Sequence, residues 1–152
     1  MKIAVGSDHA GYEAKQRLVR FLRENGHSVR DVGASSSDPV DFPDIVRAAC
    51  QEIGPGGSLA ITVCSTGIGC VMAANKIEGI RAVAAYEPFT ARRAVEHNDA
   101  NVLCLGAGLT GPRLMEEIAT AFIGARFQEK ESHRRRVDMI NRMDRSRAEN
   151  TL

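Results

Sequence analysis

Short apolar runs alternate with longer amphipathic stretches along the whole chain. Ile3-Ala4-Val5 reads as a short buried strand ending at Gly6. From Tyr12 to Glu24, Leu18, Phe21 and Leu22 fall at i, i+3 and i+4, which predicts a helix. Asn25-Gly26 supplies a stop that tolerates left-handed backbone. Ser28 to Val32 is a second strand, closed by Gly33, and the Ser/Asp/Pro-rich stretch from Ala34 to Asp41 is a loop. Pro43 suits a helix start, and Ile45, Val46, Ala49 and Ile53 give that helix one apolar face. Gly54-Pro55-Gly56-Gly57 is the strongest break and reads as a turn.

Leu59 to Cys64 is almost wholly apolar, as a central parallel strand covered on both faces should be. Ser65 to Gly69 turns into a short helix through Ala73 and Ala74. Ala82 to Ala85 is a fourth strand, Pro88 opens a helix that ends near His97, and Val102 to Leu105 is a fifth strand stopped by Gly106. Leu114, Ile118, Ala121 and Phe122 make one stripe of a further helix. From Glu131 a last helix carries Val137, Ile140 and Met143 at helical spacing.

Five strands separated by helices predict a three-layer α/β/α sandwich around a five-stranded parallel, Rossmann-like sheet. The expected organisation is one domain over 1–152, with 131–152 as a C-terminal helical arm reaching toward a partner subunit. Such sheets bind ligands at the carboxyl ends of their strands. That rule points to Gly6–His9, Gly33–Asp41, Cys64–Gly69, Tyr86–Glu87 and Gly106–Gly108.

Charge and composition then narrow the function. With 20 Lys plus Arg against 19 Asp plus Glu, the net charge of +1 gives no broad grip on nucleic acid. The +1 conceals a segment, 131–152, with six Arg and four acids. No stretch approaches a membrane span of roughly 18 apolar residues, and the apolar run at the N-terminus is too short for a signal peptide, so a cytoplasmic protein is expected. Cys50, Cys64, Cys70 and Cys104 form no C-x-x-C pair and no zinc spacing. Free thiols and no metal site are the expectation.

Cys64-Ser65-Thr66-Gly67-Ile68-Gly69 is the most informative stretch. It puts a thiol at the ligand edge, glycines that let backbone approach a ligand, and helix N–H groups suited to an oxyanion. The thiol there can have its pKa lowered; the plainer alternative is a buried cysteine and a Gly-rich turn. Asp8 and His9 can contact sugar hydroxyls or phosphate, or else cap a helix and face solvent. His97 and Asn98 end a helix, where a histidine can shuttle a proton or simply suit the dipole. His133-Arg134-Arg135-Arg136 can clamp phosphate or form a solvated face. Cys50, Cys70 and Cys104 read as small core residues.

In order, the chain shows G-S-D-H-A-G, D-F-P, C-S-T-G-I-G-x-x-x-A-A-N-K, G-I-R-A, E-H-N-D-A-N and H-x-x-R-V. From Met1 to about Met143 this resembles the B-type ribose-5-phosphate isomerases, whose wider family includes galactose-6-phosphate isomerase. The resemblance implies a metal- and cofactor-free aldose–ketose isomerisation through an enediol. It implies Cys64 as the base, Thr66 and His97 as the ring-opening pair, and backbone N–H groups from Ser65, Thr66, Gly67, Ile68 and Gly69 on the enediolate oxygen. Asp8, His9 and Asn98 would contact the sugar or phosphate, with His133 and Arg136 on the phosphate side. It also implies a homodimer or homotetramer with sites shared between subunits.

The sequence departs from the family pattern at four points. Ser132 and Gly108 stand where family members carry phosphate-binding arginines, Phe42 replaces a tyrosine, and Ser65 replaces a glycine. Arg92, Arg93, Arg134 and Arg135 are the available substitutes. These changes leave the proton-transfer residues intact and alter the sugar and phosphate contacts. Ribose 5-phosphate is the leading substrate, with an allose-, galactose- or tetrose-type aldose as the alternative. A non-catalytic sugar-phosphate binding protein is the reading from a different class.

Overall fold

A computed structural model describes residues 1–54 and 57–149, with side chains through Asp144. Pro55 and Gly56 of the expected turn, and 150–152 of the expected arm, lie outside the described residues. In chain order the elements are β1 (Lys2–Ser7), α1 (Tyr12–Glu24), β2 (Ser28–Asp31), α2 (Phe42–Gln51), β3 (Leu59–Cys64), α3 (Ile68–Ala74), β4 (Ala82–Ala84), α4 (Pro88–Asn98), β5 (Val102–Gly106), α5 (Pro112–Gly124) and α6 (Glu131–Glu149). The sheet is entirely parallel, in the order β2-β1-β3-β5-β4. The three-layer α/β/α, Rossmann-like expectation therefore holds, with β3 at the centre. Among the described residues no helix is long and apolar enough to cross a membrane.

Strand alternation divides the core into two layers. Ile3, Val5, Ile61, Val63, Leu103 and Leu105 face α1, α4 and α5. Ala4, Ala60, Cys64, Val102 and Cys104 face α2 and α3. Connections from β1 lead to β2 on one side, and those from β3 lead toward β4 on the other. The crevice between the carboxyl ends of β1 and β3 is therefore the switch point where such sheets take ligands.

Local chemistry explains the boundaries. α1 stops because Gly26 takes a φ of +80° and the His27 N–H reaches back to the Leu22 carbonyl at 3.1 Å. α4 starts on the Glu87 carboxylate, which accepts from the N–H groups of Thr90 at 2.6 Å and Phe89 at 2.7 Å. It ends at Asp99, held at a left-handed φ of 52°. Arg81 fixes that end, pairing with the Asp99 carboxylate at 2.6 Å and donating to its carbonyl at 2.7 Å. Asn75 acts as a short strand mimic, its side chain exchanging two hydrogen bonds with the backbone of Ala82. Several letters of the family motif are thus structural.

The apolar stripe expected on α6 is only partly inward. His133 and Val137 are buried, Asn141 accepts from Arg81 at 3.2 Å, and Asp144 accepts from the Gly79 N–H at 3.0 Å. That face packs on the chain's own body beside α4. Ile140 and Met143 are exposed together with Met139. The helix rotates this way because its polar residues find partners at the Gly79–Arg81 turn.

Lys15 gave no signal in the sequence, yet it is 1% exposed. Its ammonium lies 2.7 Å from the Asp31 carboxylate and donates to the Ala34 carbonyl at 2.7 Å. Together these pin the end of β2 and the start of the 34–41 loop to α1. Lys15→Met keeps the aliphatic stem and removes the charge. It should cost about 2–4 kcal/mol, at or below the usual toll for breaking a buried pair, because Asp31 stays 29% exposed and regains water. Urea unfolding measures this; a change within about 0.5 kcal/mol would show the pair to be dispensable.

Candidate active site

β3 delivers Cys64 to the carboxyl edge, beside Gly106 of β5. The backbone then turns hard into α3. A Cβ on Gly106 would lie 2.7 Å from the Thr66 carbonyl, so only glycine admits the turn there. Gly67 takes a φ of +81°, which aims its N–H at the Cys64 sulfur, 3.1 Å away. The backbone of Thr66 and Cys70 and the Cys70 thiol lie around that sulfur and lower its pKa.

These donors act on the acid–base chemistry. The Cys70 thiol is the largest influence lowering the Cys64 pKa; burial opposes it, and the three backbone N–H groups reinforce it. Cys70 itself is pushed up, first by donating to Cys64 and then by burial. One proton is shared out unequally, and Cys64 is the member of the pair that ionises. Burial pushes Cys50 up to about 11 and Cys104 up to about 12.

The neighbouring residues complete a cup. The Thr66 hydroxyl accepts from the Ile68 N–H at 3.3 Å, and Tyr86 donates to the Thr66 carbonyl at 3.1 Å. Asp8, at the end of β1, accepts from the Gly11 N–H at 2.9 Å while its own N–H donates to Val63 at 3.2 Å. His9 is exposed, and its Nδ1 accepts from the Val40 N–H at 3.3 Å, tying down the 34–41 loop. The Phe42 ring stands over Gly69; a Cβ on Gly69 would be 2.8 Å from its Cζ. Ser65 and Ile68 are exposed on the same turn, and Gly67 is buried under it.

His97, Asn98, His133 and Arg136 are elsewhere. α4 runs back along the sheet, so His97 and Asn98 lie ahead of the start of β5, at the amino edge. Cys64 is level with Gly106, four residues after Val102, so strand rise alone separates the two groups by about 13 Å. There the rings of His97 and His133 approach to 4.5 Å between centroids. Arg93 reaches His97 Nε2 at 3.0 Å. Arginine only donates, so that nitrogen accepts and the ring is neutral with its proton on Nδ1. Slight burial favours this state first, then the charges of His133 and Arg93. His133 Nδ1 donates to the Gln128 carbonyl at 3.0 Å.

The arginines sort themselves similarly. Arg134 is paired with Glu129 at 2.6 Å and Arg92 lies 4.0 Å from Glu96, while Arg135 and Arg136 are exposed. Arg93 is the substitute that stands at His97, also pairing with Glu96 at 3.0 Å. Beside Gly108, the groove of about 700 Å³ is bordered by Arg17, which is held by Glu116 at 2.8 Å.

The carried-over residues therefore form two groups at opposite ends of one sheet. The carboxyl-edge rule finds Asp8, His9 and Cys64–Gly69 and misses the other group. Cys70 is buried in the α2–α3 core layer, as its place on an apolar helix face predicts. Among the described residues no group of three or more His, Cys, Asp or Glu is disposed to hold a metal ion.

Comparison with known proteins agrees with this geometry. The family model described as Ribose/Galactose Isomerase matches residues 3–140. Ribose-5-phosphate isomerase B of Escherichia coli is 38% identical, over 96% of this chain and 98% of that protein. D-erythrulose-4-phosphate isomerase 2 of Mycolicibacterium smegmatis is 33% identical, over 92% and 95%. The solved structure of Clostridium thermocellum ribose-5-phosphate isomerase B superposes with a TM-score of 0.92 at 37% identity, covering 96% of this chain and 99% of that one. On its sequence, its fold and the match across residues 3–140, this chain belongs to the ribose/galactose isomerase family.

Proposed function

We propose that this chain is an aldose–ketose isomerase that interconverts ribose 5-phosphate and ribulose 5-phosphate, with Cys64 as the base. The observation that carries the reading is the Cys64 sulfur at the ligand edge of the sheet, accepting from the Gly67 N–H at 3.1 Å and lowered in pKa to about 6. Isomerisation moves one proton between adjacent carbons. It needs a base whose pKa sits near the working pH and donors that meet the developing enediolate.

The backbone divides that labour. The N–H group of Gly67 serves the sulfur, and that of Ile68 serves the Thr66 hydroxyl. Those of Ser65 and Gly69 are left for the enediolate oxygen. Thr66 and neutral His97 open the sugar ring. Asp8, His9 and Asn98 contact the sugar, and His133 and Arg136 take the phosphate, with Arg93 beside them. Proton transfer between a thiolate and carbon, with N–H groups as the electrophile, calls for no metal or cofactor. The similarity to ribose-5-phosphate isomerases in both sequence and fold supports the reading.

One sheet cannot bring both groups to one sugar, so we assign the active unit to a homodimer, or a tetramer of such dimers. Each site would take Cys64 from one subunit and His97 from its partner. The exposed Met139 and Ile140 on α6 suit such an interface. The four free thiols suit a reducing cytoplasm.

A second substrate is favoured by specific residues. Phe42 over Gly69 offers no hydroxyl, and Gly108 offers no side chain beside Ser65, whose carbonyl accepts the Gly108 N–H at 2.8 Å. A shorter sugar phosphate, such as the tetrose named for the mycobacterial relative, would tolerate both losses.

A substrate panel decides between them. Ribose 5-phosphate should give the highest kcat/KM among ribose, allose, galactose and tetrose substrates, phosphorylated and free. A tetrose phosphate in first place selects the second reading, and binding with no solvent-proton exchange at carbon rejects catalysis altogether. Cys64→Ala should cut kcat by at least about a thousandfold and leave sugar-phosphate binding intact. In the parent protein kcat/KM should rise with pH through about 6, the point to which the Cys64 thiol is lowered, and then level off. A rise centred near the ordinary thiol value of about 8.5 would contradict the ionised base. Mixing inactive Cys64→Ala with inactive His97→Asn under subunit exchange should recover roughly a quarter of parental activity, since half the dimers then hold one intact site of two. A mixture that stays inactive while native mass spectrometry shows exchanged subunits contradicts the shared site.

A further inference from the structure

Three successive carbonyls follow the end of β3 into the turn, and each is held by a donor. The Cys64 carbonyl accepts from the Ala107 N–H at 2.8 Å, and the Ser65 carbonyl accepts from the Gly108 N–H at 2.8 Å. Both donors are backbone groups just past β5, so they depend little on residue type. The Thr66 carbonyl accepts instead from a side chain, the Tyr86 hydroxyl, at 3.1 Å. Tyr86 follows β4 at the carboxyl edge, and nothing in the proton-transfer scheme uses it.

The Thr66 carbonyl and the Gly67 N–H are two ends of one peptide unit, and that N–H meets the Cys64 sulfur at 3.1 Å. A peptide unit is planar, so fixing its oxygen fixes the direction of its N–H. On the other side β5 leaves no room to turn: a Cβ on Gly106 would lie 2.7 Å from both the carbon and the oxygen of the Thr66 carbonyl. The unit is gripped between the β5 backbone and the Tyr86 hydroxyl. A donor on the carbonyl also polarises the amide and strengthens its N–H as a donor, and donation to a thiolate is charge-assisted. The ionisable groups around this edge are engaged elsewhere or stay protonated. Asp8 of β1 holds the Gly11 N–H, His9 holds the Val40 N–H, and Glu87 caps α4. Cys50 of α2, Cys70 of α3 and Cys104 of β5 all have raised pKa values.

We propose that Tyr86 is a positioning residue for the isomerisation, its hydroxyl holding the Thr66–Gly67 peptide so that the Gly67 N–H faces the Cys64 sulfur. The inference rests on Cys64 being the base. Tyr86 acts on that sulfur through one peptide unit and two hydrogen bonds.

Tyr86→Phe removes the hydroxyl and keeps the ring, at a side chain that is 40% exposed, so the fold should survive. Ionisation of Cys64 is read in the intact protein without substrate, from the pH dependence of iodoacetamide alkylation, with Cys64→Ala as the baseline. The parental midpoint is expected at about 6. Tyr86→Phe should raise it by about half a unit to one unit. On ribose 5-phosphate, kcat/KM should then fall about two- to fivefold at pH 6 and return to within about 1.5-fold of the parent at pH 8.5, where both proteins carry the thiolate. A midpoint that moves by less than about half a unit would overturn the proposal. So would a loss of kcat/KM that is equal at pH 6 and pH 8.5, which assigns the hydroxyl to the sugar and not to the peptide. A raised midpoint in a protein with no isomerase activity on any sugar would uphold the linkage from Tyr86 to Cys64 and reject the isomerase reading, so the two failures are distinguishable.

Discussion

The turn between β3 and α3 is the constraint on which the rest of the site depends. Its backbone passes within contact distance of Gly106 on β5 and can do so only because no side chain stands there. Gly67 then adopts left-handed backbone, and its N–H meets the Cys64 sulfur at 3.1 Å. A buried thiol left to itself resists ionisation, as Cys50 and Cys104 illustrate. Cys64 differs because donors surround it. The same cysteine side chain is thus inert at two places in one core layer and acidic at a third.

The sheet imposes a second constraint. A parallel strand order fixes α4 antiparallel to the strands, so a residue at its C-terminus cannot share an edge with a residue at the end of β3. His97 is held there firmly, between the Arg81–Asp99 clamp and the His133 ring. Cys64 at the carboxyl edge and His97 at the amino edge are thus held rigidly and apart. The polar face of α6 is docked on the chain's own body while Met139 and Ile140 are exposed.

Two departures from the family pattern, Phe42 and Gly108, lie against the Cys64–Gly69 turn. Phe42 presses on Gly69, and Gly108 follows the Cys64–Ser65 backbone closely, its N–H on the Ser65 carbonyl. Arg93, neutralised in part by Glu96, stands at His97.

The sequence by itself determined the layered α/β architecture, because buried parallel strands read as short apolar runs and their covering helices as amphipathic stretches. Leu59–Cys64 was legible as the central strand to the residue, and Asn25-Gly26 as a helix stop. The ordered motifs made the family legible. Only the tertiary structure decided the rest. Lys15 lies in an amphipathic helix where a lysine normally meets water, and its burial depends on Asp31 and Ala34 arriving from β2 and its loop. Cys70 has the pattern of a core residue and is one, but that it packs in the same core layer as Cys64 is decided only once α3 folds back over β3. The separation of Cys64 and His97 to opposite edges follows from strand order and helix direction, which are long-range facts. Local periodicity reports which face of an element is buried; it does not report which distant polar group waits on that face.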